Sequence, residues 1–130
     1  MAEQKIIRPS SGWELLWTNP NPSADFAAQT VSIDLSRYDL IMILARVSAN
    51  RMYLAPPTII PKNSDGGMLS FTIFAGAKDW PHNLAQRMVS MVDDNGITFD
   101  DATQKPTNAT TSPTAGNDLL IPYYIYGQSL

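Results

Sequence analysis

The sequence contains no cysteine and a single histidine, His82. Without cysteine there is no disulfide, no thiolate nucleophile and no thiolate-bound zinc. One histidine excludes a three-histidine zinc site, and any Ser-His-Asp arrangement would have to run through His82. Charge is scarce too: 16% of the 130 residues are charged, against roughly 25% in an average soluble domain. Nine basic residues against twelve acidic ones leave a net charge of −3, and the basic ones are scattered singly, so no nucleic-acid partner is expected. Long apolar runs are missing. The longest block, LIMILA at 40–45, is far short of a bilayer span, and the opening MAEQKIIRPSSGW has no apolar run of the export-signal kind. The expectation is a soluble chain with no signal peptide and no membrane insertion. No P-loop, glycine-rich dinucleotide turn or G-x-S-x-G elbow occurs, so no cofactor is expected.

What is present is apolar and β-like. Hydrophobic residues make up 44% of a chain whose length suits one domain, expected to cover residues 12–130 behind an arm or linker at 1–11. QTVSIDL at 29–35 alternates strictly, with Val31, Ile33 and Leu35 on one face, as in a half-buried strand. LIMILARV is apolar on both faces and reads as a central strand. RMYLAPPTIIP is β-like, but Pro56, Pro57 and Pro61 cannot donate to a ladder, so it is expected to leave the sheet midway. MLSFTIFAG alternates again. WPHNLAQRMVSMV fits either a helical stripe or a strand, with strand favoured after Gln86. DDNG at 93–96 predicts a tight hairpin, with Asn95-Gly96 as the positive-φ pair, leading into ITFDD.

The run from Ala102 to Asn117, rich in Thr, Asn and Pro, reads as a long exposed loop. DLLIPYYIYG is a closing strand in which Pro122 marks an edge position or a bulge, and GWELLWTN is an opening one. The fold class is therefore all-β: a β-sandwich of jelly-roll or Greek-key kind, with about 7–8 strands and at most one short helix.

Candidate chemistry is sparse. Asp93, Asp94, Asp100 and Asp101 flank the hairpin, but Met91 stands where a calcium loop needs its first oxygen ligand, so they read as a solvated tip and no metal site is expected. A carboxylate pair of glycosidase type is conceivable among Glu14, Asp25, Asp34, Asp39 and Asp79, without any motif to select one. Asn108-Ala109-Thr110 fits a glycosylation sequon in the loop. Trp13 and Trp17, four apart on a strand, are expected to share a core face. Trp80, beside Pro81 in a loop, is the better ligand-stacking candidate, with His82 as its polar neighbour. In the closing strand Ile121, Tyr123 and Ile125 are expected on one face and Tyr124 and Tyr126 on the other, where a tyrosine pair suits a ligand or a neighbouring subunit. The candidate site residues are thus Trp80, His82, Tyr124 and Tyr126. No catalytic set emerges, and the chain reads as non-enzymatic.

Several segments, in order, carry a resemblance. They are the GWELLWTNPNP strand, FAAQT at 26–30, the LS-x-Y turn at 35–38, an arginine beside RMVSMV, GITFDDA, and the ending IPYYIYG. This combination resembles a module recurrent in phage and prophage structural proteins, chiefly of Gram-positive hosts, and touches the chain from Trp13 to Gly127. The resemblance implies a distal β-rich piece of a tail fibre or baseplate, trimeric, in contact with other virion proteins and attached to a host cell-wall glycan. With only residues 1–11 before the module, the chain is expected to be an excised domain or a small separate virion protein. The alternatives are a capsid decoration or head-fibre protein without a sugar ligand and, behind it, a cell-wall glycan hydrolase.

Overall fold

The computed structural model describes residues 12–63, 69–74, 84–105 and 114–130. Ten strands run through them: β1 Glu14–Thr18, β2 Gln29–Ser32, β3 Leu40–Ser48, β4 Arg51–Leu54, β5 Thr58–Pro61, β6 Leu69–Phe74, β7 Leu84–Asp93, β8 Gly96–Lys105, β9 Thr114–Ala115 and β10 Leu119–Gln128. Among the described residues there is no helix. One antiparallel sheet has the order β1-β10-β3-β4, with β5 also on β3; the other has the order β2-β8-β7-β6, with β9 on β8. The two sheets close on a common core that includes Leu35, Ile41, Ile43, Ile60, Val92, Ile97, Phe99 and Ile125, all fully buried. This is a β-sandwich. In the second sheet β6, β7 and β8 follow one another while β2 arrives from the first sheet to lie beside β8, a Greek-key arrangement.

Period-two segments fold as their patterns dictate. Val31 and Leu35 are buried and Ile33 packs half-buried against the core. The ladder of β2 nevertheless ends at Ser32, because the next amides, Ile33 and Leu35, donate to the turn carbonyls of Asn95 and Asp94. β3 is central, between β10 on one side and β4 with β5 on the other. The ambiguous WPHNLAQRMVSMV segment resolves as strand from Leu84, two residues before Gln86. Pro56 and Pro57 interrupt pairing, so RMYLAPPTIIP yields two short strands, but the segment does not leave the sheet: both strands pair with β3, and Pro61 closes β5 opposite Leu40. That division, and the small β9, account for a strand number above the expected 7–8.

Two further expectations need correction, and the alternative left open at Pro122 is resolved. The exposed loop from Ala102 to Asn117 is in part a hairpin: β8 continues to Lys105, and β9 pairs back through Thr103 with Ala115 and Gln104 with Thr114. Pro122 marks a bulge and not an edge, because β10 lies between β1 and β3 and its register on β3 shifts between Pro122 and Tyr124. At the 93–96 hairpin Asn95 has no positive φ; only Gly96 does, and the turn is closed by the Asn95 amide donating to Asp93 Oδ1 at 2.8 Å.

One polar residue organises the core. Arg87 on β7 is fully buried and donates to four backbone carbonyls: Nε to Leu120 at 2.8 Å, Nη1 to Phe26 and Asp100 at 2.8 Å each, and Nη2 to Leu119 at 3.0 Å. Its guanidinium also lies 5.3 Å from the centre of the Phe26 ring, which meets Phe99 edge-on at 5.5 Å. In an extended strand consecutive carbonyls point to opposite sides, yet Leu119 and Leu120 both face Arg87. Leu120 makes this feasible by taking φ +50°, a conformation that costs a leucine roughly 1–2 kcal/mol. Burial pushes the guanidinium down to about 10, with nearby Asp101 opposing, so it is protonated at any neutral pH.

Asp101 holds the periphery of the same cluster. Its Oδ1 accepts from the Ala28 amide at 2.8 Å and from Asn117 Nδ2 at 2.9 Å, while Asn117 Oδ1 accepts from the Ala102 amide. These bonds, the Ala28 amide first, lower the Asp101 carboxyl below its usual value. A depressed folded-state pKa gives stability that is present above the unfolded value of about 3.9 and lost as pH falls through the folded one. We therefore expect Asp101→Ala to melt below the wild type at pH 7 and the gap to narrow as pH falls below about 3.9. Thermal denaturation across this pH range checks this; a gap that is constant or widens refutes the assignment.

Candidate functional site

The outer face of the first sheet can be built from its register. Residues directly opposite in an antiparallel pair share a face, so Leu15, Tyr126, Met42 and Ile59 form one row across β1, β10, β3 and β5. Beside it Thr18, Tyr124 and Leu44 form a second row, and Gln128, Leu40 and Pro61 a third. Ile41, Ile43 and Ile60, offset by one residue, are fully buried on the inner face, whereas Leu15 is 50% and Ile59 51% exposed. None of these outer-row residues is charged.

The bulge after Pro122 changes what this face carries. It inserts one residue, so Tyr123 stacks on Tyr124 with ring centres 4.1 Å apart and planes at 17°, and does not alternate to the Ile121 and Ile125 side. Tyr126 stands 6.2 Å from Tyr124. All three tyrosines are half-buried. The Tyr123 partner hydroxyl pushes the Tyr124 phenol up from its usual value, with burial adding to the effect, so it stays a neutral hydroxyl at neutral pH. The expected pair, Tyr124 and Tyr126, is thus a cluster of three.

A second bulge, between Leu15 and Trp17 on β1, separates the tryptophans. The extra residue breaks the shared face expected of Trp13 and Trp17. Leu16 and Trp17 both pack against the core, and Trp17 is only half-buried. Trp80 and His82 lie outside the described residues.

Several of the candidate acids are engaged in structure, while Asp79 lies outside the described residues. Glu14 accepts from the Tyr38 hydroxyl at 2.7 Å, a bond that raises the Tyr38 phenol, and Asp34 is lowered by its bonds from Ser36. At the hairpin tip Asp94 pairs with Lys62 at 2.7 Å and Asp93 caps Asn95. Among the described residues no three His, Asp or Glu side chains gather as a metal site would require. No helix among the described residues is long and apolar enough to cross a membrane. Comparison of the chain with protein-family models, with curated proteins and with solved structures gives no match.

Proposed function

We propose that the chain is a structural domain of a phage virion, at a tail fibre or tail tip, which assembles with copies of itself and attaches to a host cell-wall glycan. The resemblance of its FAAQT, LS-x-Y and IPYYIYG segments to phage structural modules supplies the setting. The observation that carries the assembly is the run of three uncharged rows on the outer face of the first sheet, with its three tyrosines and the half-exposed Leu15 and Ile59. Interfaces between subunits enrich aromatic residues and exclude charge at their centre in this manner. A threefold assembly follows the fibre analogy, and repetition of weak sugar sites raises avidity without a new contact.

Light scattering of the purified chain tests the assembly, and three copies are expected. Ile59→Glu, at a position half open to solvent, is expected to leave monomer stability within about 0.5 kcal/mol. The same change should weaken association by at least about tenfold, since it leaves an unpaired carboxylate in the interface. A sedimentation profile indifferent to the substitution removes this face as the contact. Binding to isolated host walls, as opposed to empty capsids, separates attachment from capsid decoration.

A further inference from the structure

A cleft of about 390 Å³ opens along the side of the sandwich where the edge strands β1 and β2 face each other. Its rim adjoins the tyrosine strand, the Asn19 backbone amide donating to the Tyr123 carbonyl at 2.8 Å. Trp17 forms part of its wall, packed on the core yet only half-buried, and Asn21, Asp25, Gln29, Thr30 and Ser32 contribute polar groups around it. Asn19 fixes the rim: its amide donates to the Pro122 carbonyl at 2.8 Å and its Oδ1 accepts from the Asn21 backbone at 2.8 Å, so the Asn21 and Asp25 side chains project from a tethered segment. The Asn21 amide and the Asp25 carboxylate are exposed and bond no other described side chain or backbone group. Among the described residues, no lysine or arginine lines the cleft.

We infer that this cleft is a binding site for a neutral, unphosphorylated hexopyranose. An indole offers a flat apolar face to the C–H face of a sugar ring, and it is already held in place by the core. Around it, amides that both donate and accept, together with a carboxylate that accepts from two hydroxyls, match the vicinal diols of a pyranose. The volume is at the small end of ligand sites, suited to one or two rings. Charge selects within this class: among the described lining residues, one carboxylate and no cation disfavour phosphate, sulfate and acidic sugars. The inference deepens the attachment reading and rests on it, while moving the sugar contact from the Trp80 loop to Trp17.

The test is titration of the intact chain with methyl glucoside, methyl galactoside and N-acetylglucosamine, followed by indole fluorescence, with host-wall polysaccharide binding measured in parallel. At least one monosaccharide is expected to shift the emission with a millimolar Kd, the weakness expected of one shallow subsite. Asp25→Ala and Asn21→Ala, at exposed positions, should keep the wild-type melting temperature and weaken both sugar and wall binding by at least about tenfold, the weight of one or two charge-assisted hydrogen bonds. Trp17→Phe should lose most of the fluorescence response. Wall binding that survives Asp25→Ala and Asn21→Ala unchanged overturns the site while leaving attachment standing. Absence of any wall or sugar binding overturns both. Binding only to phosphorylated wall polymer, or only to an extended peptide that pairs with the free edge of β2, overturns the sugar assignment.

Discussion

Replacing Arg87 with methionine is expected to cost more than about 4 kcal/mol, enough to leave much of the chain unfolded if its total stability lies in the ordinary range of about 5–15 kcal/mol. Buried ion pairs can often be exchanged for apolar residues without loss, because both charges leave together. That escape is closed here, since the partners are the backbone carbonyls of Phe26, Asp100, Leu119 and Leu120 and no substitution removes them. Each buried carbonyl left without a donor costs about 1–3 kcal/mol, and Leu120 would keep its positive φ with nothing to offset it. Arg87→Lys retains the charge but not the planar fork that reaches several acceptors at once, and is expected to recover less than half of the loss. Urea denaturation of the three proteins measures this. An Arg87→Met chain within about 1 kcal/mol of wild type would show that the carbonyls find other donors.

Arg87 also explains the kind of resemblance the sequence carries. The segments that resemble phage modules include FAAQT, the arginine beside RMVSMV and the closing run through IPYYIYG. In the structure Arg87 bonds the Phe26 carbonyl of the first and the Leu119 and Leu120 carbonyls just before the last. Leu35 and Tyr38 of the LS-x-Y turn are buried, and Gly127 is packed so closely that a side chain there would meet the Tyr38 ring at 2.7 Å. These residues form framework. They fix how the chain folds and leave the choice of ligand to other positions.

The fold was legible because alternation is a local property: each strand buries every second residue, and prolines show where pairing must stop. What could not be read is any feature that depends on one inserted residue. The bulges in β1 and β10 each flip the faces beyond them, so Trp13 and Trp17 part while Tyr123 joins Tyr124. Pro122 hinted at the second bulge, and nothing in GWELLWTN marked the first. The outer rows were illegible for another reason. Leu15, Met42 and Ile59 are far apart in sequence, and only cross-strand register makes them neighbours of Tyr126. The cleft at Trp17 had a weaker signal, an indole close to Asn and Asp in WTNPNPSAD, which the strand pattern assigned to the core.

The DDNG turn supplies the second large effect, at Gly96. If Asn95-Gly96 were the central pair of a two-residue hairpin, both would need positive φ, and substitution at either position would be costly. In the structure the turn residues are Asp94 and Asn95, Gly96 opens β8 opposite Asp93 and Ser32, and only Gly96 has a positive φ, +153°. A Cβ at Gly96 would stand 2.2 Å from the Val31 carbonyl oxygen, a clash with backbone that no side-chain rotation relieves. β2 would have to pull away from β8, opening the edge that lines the Trp17 cleft. Gly96→Ala is therefore expected to cost about 3–5 kcal/mol, from overpacking and from strained φ together. Asn95→Ala, whose backbone bond to Asp93 survives the change, should cost less than about 1 kcal/mol. Chemical denaturation of the two variants decides between the geometries. Losses of similar size at both positions would restore the Asn-Gly turn, whereas a large loss confined to Gly96 locates the constraint in the contact between β8 and β2.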